Sequence, residues 1–212
     1  MKKSVLIKLI LSIFGILFVG TGVAFNASAA LGNDPVGIVY DGIRSAANLS
    51  PEQLGMASNI VNIVLVIAVF CLNRRYVNVG TFIYIIPYGM AVSFGGRLYA
   101  ALFPVQSIAC QIAGAVIGCT LLYIGVAMFI AADIGLDPFT GMVMVIRDKV
   151  GREYRIVKIC FDMGCIVLGF VLGGRLGVIT IITALSAGPM IQFISDRISK
   201  YIAKYMKEEV KI

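Results

Sequence analysis

The sequence predicts an all-α membrane protein of about six transmembrane helices plus two short half-helices begun by Asp-Pro, arranged as two inverted three-helix repeats. Three observations predict it. Apolar residues make up 59% of the 212-residue chain and charged residues 14%, with a mean hydropathy of +0.96; soluble domains run at roughly 45–50% and 25%. Apolar runs of about 20 residues recur, and each can cross a hydrocarbon core roughly 30 Å thick. The chain also matches itself at an offset of 103 positions, with ten identities from Gly15 to Arg44. Gly32-Asn33-Asp34-Pro35 falls on Gly135-Leu136-Asp137-Pro138, Gly15 on Gly118, Gly22 on Gly125 and Arg44 on Arg147. Such internal repetition is the signature of a duplicated structural unit.

The first span follows Lys2, Lys3 and Lys8 and runs from Leu9 to Phe25. Ala27-Ser28-Ala29 resembles a signal-peptide cleavage site. The repeat argues for a retained helix, because Gly15, Gly22, Val23 and Ala24 have partners deep inside the chain. Asp34 is then a favoured N-cap and Pro35 a favoured first helical residue. A short helix is predicted from Pro35 to about Ala47, too short to span at 1.5 Å per residue. It lies either re-entrant or at the interface. The second span covers about Leu54–Leu72 and ends at Asn73-Arg74-Arg75, and the third about Val79–Leu98, interrupted by Pro87. Arg97 to Ser107 reads as a loop.

The second half repeats the plan. The fourth span is Ile108–Ile130, and Asp137-Pro138 begins a short helix to about Val150. The fifth span is Ile156–Leu172 and the sixth Val178–Ile194. The units are then 1–103 and 104–195, followed by a basic amphipathic tail over 196–212. That tail carries Arg197, Lys200, Lys204, Lys207 and Lys211.

Charge sets the orientation. With both termini cytoplasmic, 14 of the 18 basic residues lie inside, as Lys and Arg do in cytoplasmic loops. The net charge of +7 is thus a membrane feature and predicts no nucleic-acid partner. The lipid bilayer is the expected surrounding; a homo-oligomer remains open. The two Asp-Pro segments are three crossings apart. Leu31–Gly55 holds one basic residue and Asp133–Arg155 holds four, as expected of inverted repeats in secondary transporters.

The candidate substrate- or ion-binding residues are Asp34, Asp137, Asn59, Asn62, Asp162, Tyr84 and Thr183. Pro35 and Pro138 are structural helix starts. Helix N-termini present N–H groups and partial positive charge, but the two aspartates occupy part of that potential. A cationic or zwitterionic solute, or a coupling proton or sodium ion, is as compatible as an anion. Asp162 is the acidic residue well inside a predicted span, a costly placement that often marks a pathway. Lys158, four residues earlier, also fits a local ion pair. Asn59 is the repeat partner of Asp162, and Asn62 shares its face; both could line a path or bond between helices. Tyr84, Tyr88 and Thr183 lie near Pro87 and Pro189 as pocket candidates. Arg44 and Arg147 read as interfacial anchors, and the glycine pairs Gly114/Gly118, Gly169/Gly173 and Gly173/Gly177 as packing contacts.

No catalytic motif, cofactor loop or metal-ligand pattern is present. Histidine is absent, and the five cysteines form no C-x-x-C. The expected protein is not an enzyme and needs no metal or cofactor.

Gly32-x-Asp34-Pro35, Arg74-Arg75 before Gly80-Thr81, and Gly188-Pro189 in the last span resemble the YczE/YyaS/YitT-type family of small bacterial membrane proteins. The chain departs from the pattern at Gly177-Val178 and Tyr88-Gly89. The resemblance implies a bacterial plasma membrane and a transporter-like fold without a settled substrate. The leading expectation is a small secondary transporter for an unidentified solute, with its site between the repeats and uptake lost in Asp137→Asn. The alternatives are a substrate-binding membrane subunit of a larger uptake complex and a non-transporting protein that binds a lipid or partner.

Overall fold

A computed structural model describes residues 3–209, with side chains from Leu6 to Ala203 except Val79. Lys2 and Lys211 of the predicted basic ends fall outside the described residues, as do the side chains of Lys3, Lys204 and Lys207. The described residues are all helical and turn, with no strand among them. The helices are α1 (Lys3–Ala29), α2 (Pro35–Ala46), α3 (Leu54–Leu72), α4 (Val79–Leu102), α5 (Ile108–Ala132), α6 (Pro138–Val150), α7 (Tyr154–Val171) and α8 (Val178–Glu209). Among the described residues, four stretches are long and apolar enough to cross a membrane: Leu6–Ala29, Pro51–Leu72, Ile108–Ala132 and Val178–Ala203. Large apolar side chains such as Ile63, Val64, Ile67, Ile86, Met90, Val167, Val171 and Leu185 face outward. In water so much exposed apolar surface would aggregate; here it is the face that lipid covers. The chain is a multi-pass membrane protein.

Two boundaries differ from the sequence reading. α4 continues past Arg97 to Leu102, so the loop before Ser107 is shorter than expected. Pro87 lies inside α4 without ending it. α8 is one 32-residue helix running through Pro189 and on to Glu209. The basic tail is therefore a continuation of the last long helix, and the boundary expected at 195–196 is not a break. No glycine or proline follows Pro189 to stop the helix.

α1 is the central element. It packs along α5 on one side and α4 on the other. The α1–α5 contact is antiparallel and glycine-mediated. A Cβ on Gly15 would stand 2.8 Å from the carbonyl oxygen of Gly125, and one on Gly22 2.6 Å from that of Gly118. Backbones this close admit no side chain. Gly22→Leu is therefore expected to lower the melting temperature or prevent folding, since overpacking a tight contact costs about 1–3 kcal/mol or more. Gly96 on α4 has nothing within 4 Å of its Cβ direction. Gly96→Ala should leave the melting point level or slightly raised, by up to about 1 kcal/mol of helix propensity.

Between α1 and α2 the chain turns back on itself. Ala30 has φ 59° and Gly32 φ 100°, left-handed conformations that stop a helix. Asn33 Nδ2 then donates to the Val23 carbonyl at 3.1 Å. Val23 lies six residues before the end of α1, about 9 Å at helical rise. Asp34-Pro35 thus sits well down the flank of α1 rather than beyond its end. The backbone N–H of Ile179 donates to the Leu31 carbonyl at 3.0 Å, fixing this turn to the start of α8. The turn before α6 is held in a matching way: Thr81 Oγ1, at the start of α4, donates to the Leu136 carbonyl at 2.9 Å. α2 packs on α7, with Gly42 against Gly169, while α6 packs on α3, with Gly141 against Val69.

Candidate functional site

Asp34 and Asp137 cap α2 and α6, as their spacing before proline predicts, but they are not used alike. Asp137 Oδ1 accepts two backbone N–H groups, from Phe139 at 3.1 Å and Thr140 at 3.0 Å. Asp34 accepts through Oδ2 from Val36 N–H at 3.2 Å. Its Oδ1 is buried and has no hydrogen-bond partner. The N–H of Gly37 faces the same carboxyl group without reaching hydrogen-bond geometry with Oδ1. A buried carboxylate oxygen with no donor is a costly arrangement. Asp137 Oδ2 also makes no hydrogen bond but is not buried, so Asp34 Oδ1 is the buried, unpartnered oxygen of the duplicated pair.

Aromatic side chains build the neighbouring wall. Tyr84 and Tyr88 of α4 stack at 5.0 Å with 19° between their planes. Tyr40 of α2 meets Tyr88 at 5.7 Å and Phe139 of α6 at 5.6 Å, and Tyr84 meets Phe129 of α5 at 5.4 Å. Phe139, whose N–H bonds Asp137, and Tyr40, six residues after Asp34, bring both short helices to one aromatic cluster that includes Tyr84.

Tyr40 is a residue the sequence reading passed over. Its hydroxyl donates to Asn62 Oδ1 at 2.9 Å. Asn62 is wholly buried, and its Nδ2 has no partner. Asn59, one turn earlier, is pressed against Gly89 of α4, and its Oδ1 is also unpartnered. A second overlooked residue is Asn26 of α1. It is fully buried, its Oδ1 lies 3.8 Å from Cys119 Sγ, and its Nδ2 is unpartnered. The Tyr123 hydroxyl lies 2.8 Å from Ser186 Oγ. The available signal for Asn26 was an amide inside an apolar run. It falls opposite Phe129 in the repeat, so the duplication did not mark it.

Asp162 forms the ion pair with Lys158 that the four-residue spacing allows. Both are near enough to Asp34 to act on it by charge. Thr183 is buried but committed to its own helix, donating to the carbonyls of Ile179 at 2.8 Å and Thr180 at 3.1 Å. It offers no free hydroxyl hydrogen to a ligand in this arrangement. A groove of about 430 Å³ between α6 and α7 is lined by Ile146, Val150, Arg152, Ile156, Val157, Cys160 and Phe161. It is largely apolar. No group of three or more metal-ligating side chains is present among the described residues.

The two short helices end differently. Arg44 pairs with Asp41 at 2.9 Å and donates to the Leu49 carbonyl at 2.8 Å. Asp41 Oδ2 also accepts the N–H of Arg175, in the α7–α8 turn, at 3.1 Å. Arg147 instead pairs with its neighbour Asp148 at 2.7 Å, and Asp148 accepts a hydrogen bond from the Tyr76 hydroxyl. The Tyr76 hydroxyl first, and Arg147 second, hold the Asp148 carboxyl below the usual carboxylate range. A depressed carboxylate stabilises the fold above its unfolded value, about 4, and that stabilisation disappears as pH falls through the folded value. Wild type should therefore lose more thermal stability than Asp148→Asn when melting is followed from pH 6 down to pH 2. Parallel curves would remove the linkage.

Residues 6–196 match the family described as "Family of unknown function (DUF6198)". An uncharacterized protein of Haemophilus influenzae is 24% identical over 188 residues, covering 89% of this chain and 83% of the relative. An uncharacterized membrane protein of Bacillus subtilis, YczE, is 22% identical over 194 residues, covering 91% and 87%. These matches agree with the resemblance carried by the Asp-Pro and Gly-Pro motifs. No solved structure matches.

Proposed function

We propose that this chain, which belongs to the family of unknown function DUF6198, is a small secondary transporter carrying a small solute through a site between two inverted repeats. Six spans are proposed, in a bacterial plasma membrane with both termini cytoplasmic. α4 and α7 complete that number: their 24 and 18 residues extend about 36 and 27 Å at helical rise.

The observation that carries the reading is the pairing of α1 with α5. The 103-residue offset equates Gly15 with Gly118 and Gly22 with Gly125. A two-fold axis exchanging the halves turns the contact of Gly15 with Gly125 into that of Gly118 with Gly22. Both contacts are present. Because the helices are antiparallel, such an axis lies across them, in the membrane plane, as in inverted-repeat transporters. Further support comes from positions that do not share a residue type. Ala30 and Asp133 have φ 59° and 50°, and Asn48 and Gly151 have φ 53° and 67°. Both pairs are 103 apart.

The halves also differ in a way that suits alternating access. On α3 and α4, Gly55 is packed against Gly89 and Ser93. The corresponding helices α7 and α8 scarcely touch, and Gly164 and Gly188 have open space before them. Lys158 stands where the repeat places Gly55. In the proposed orientation this describes a carrier closed outside and parted on the cytoplasmic side. Uptake by proteoliposomes, screened over labelled amines, amino acids, carboxylates and sugars, tests the reading. Saturable flux of one class is expected. Absence of flux for every class, with protein shown to be folded, overturns it.

A further inference from the structure

We propose that Asp34 anchors the ammonium group of a small primary amine that also carries an oxygen acceptor, between Asn26 on α1 and the stacked rings of Tyr84 and Tyr88. The proposal rests on the transporter reading for its physiological sense, but the binding it requires stands apart from flux.

The geometry is one of unmet partners. Asp34 Oδ1 lacks a donor, and Asn26 Nδ2 and Asn62 Nδ2 lack acceptors. Asn26 and Asn62 are both fully buried. Asn33 Nδ2 reaches the Val23 carbonyl, one helical turn before Asn26, which sets the neighbouring Asp34 beside this stretch of α1. Asp34 Oδ1 and Asn26 Nδ2 do not bond to each other, and a ligand supplying both an N–H and an oxygen satisfies them together. Leaving such groups unpaired in a buried site is what discriminates against ligands lacking the match.

The alternatives fit less well. An anion would face the Asp34 carboxylate, while Lys158 is already paired with Asp162. A bare metal cation needs several oxygens in its shell, and the free atom of Asn26 is a nitrogen donor that repels it. A proton on Asp34 supplies a hydrogen but no acceptor for either amide. The rings of Tyr84 and Tyr88 add an aromatic face suited to an ammonium group.

Thermal unfolding of the purified full chain in detergent, at constant ionic strength, provides the test, with binding of labelled ethanolamine measured alongside. Ethanolamine or glycine is expected to raise the melting temperature in a saturable way. Asp34→Asn should weaken binding at least about tenfold while Glu52→Gln, an exposed carboxylate on the α2–α3 connection, leaves it unchanged. Choline, which has no N–H, should bind more weakly than ethanolamine. Should Asp34→Asn not fold, Asn26→Ala must show the same loss. The proposal is overturned if neither amine binds, if sodium or choline does as well, or if both variants bind like wild type. Amine binding without flux removes the carrier and keeps the site; flux of a non-amine with no amine binding does the reverse.

Discussion

Asp34→Asn is expected to abolish the proposed solute uptake and to leave the fold in place. Asn caps helices as well as Asp, so the bond from Val36 N–H to this side chain survives and α2 still begins at Pro35. What disappears is the negative charge on an oxygen that no protein group satisfies. Removing one side of a buried charged contact costs about 2–5 kcal/mol, a fall in uptake of at least about thirtyfold. Asp137→Asn is the comparison. Asp137 already accepts two N–H groups, so its replacement should damage α6 capping and transport less severely than Asp34→Asn. Wild-type uptake in Asp34→Asn, with a wild-type melting curve, excludes Asp34 from the transport site.

Asp41→Ala has the largest expected effect on stability. Asp41 and Arg44 have side chains only 12% and 15% exposed. The carboxylate joins the end of α2 to the α7–α8 turn through the N–H of Arg175. Removing it leaves a mostly buried guanidinium and that backbone donor uncompensated. Breaking such a pair costs about 3–5 kcal/mol, a large share of the total stability of most domains. Asp148→Ala, at the equivalent end of α6, should be far milder, since Arg147 and Asp148 are about one-third exposed and water screens the pair. Equal losses in the two variants, read by thermal unfolding, would contradict this account of the two helix ends.

Local chemistry made much of the fold legible. Asp-Pro fixes a helix start within two residues, so α2 and α6 begin where the sequence places them. Leu54–Leu72 is bounded by a proline turn and by Asn73, and both ends were readable. Signals that depend on an absent stop were harder. α8 runs on to Glu209 because nothing interrupts it, and an amphipathic pattern in its last turns looked like a separate element. The sequence marks candidate residues by type but not their hydrogen-bonding states. Asp34 and Asp137 share a motif, and only packing decides that the unbonded oxygen is buried in one and not in the other. Asn33 precedes Asp34, and its own side chain bonds Val23 and the Asp34 N–H; Leu136 has no such group. Thr183 is buried where expected, yet its helix backbone takes its hydroxyl hydrogen. Asn26 and Tyr40 are not repeated, so the duplication does not mark them, and neither lies beside a proline or an Asp-Pro start.

Opposed orientation of the two halves is the claim on which the transport reading turns. Ser50, after α2, and Arg152, after α6, are both exposed. Single cysteines at Ser50→Cys and Arg152→Cys, in protein lacking its five native cysteines, can be probed in intact cells with a membrane-impermeant maleimide. The account predicts that position 50 reacts from outside and position 152 reacts only after the membrane is permeabilised. Reaction of both positions from the same side would contradict it.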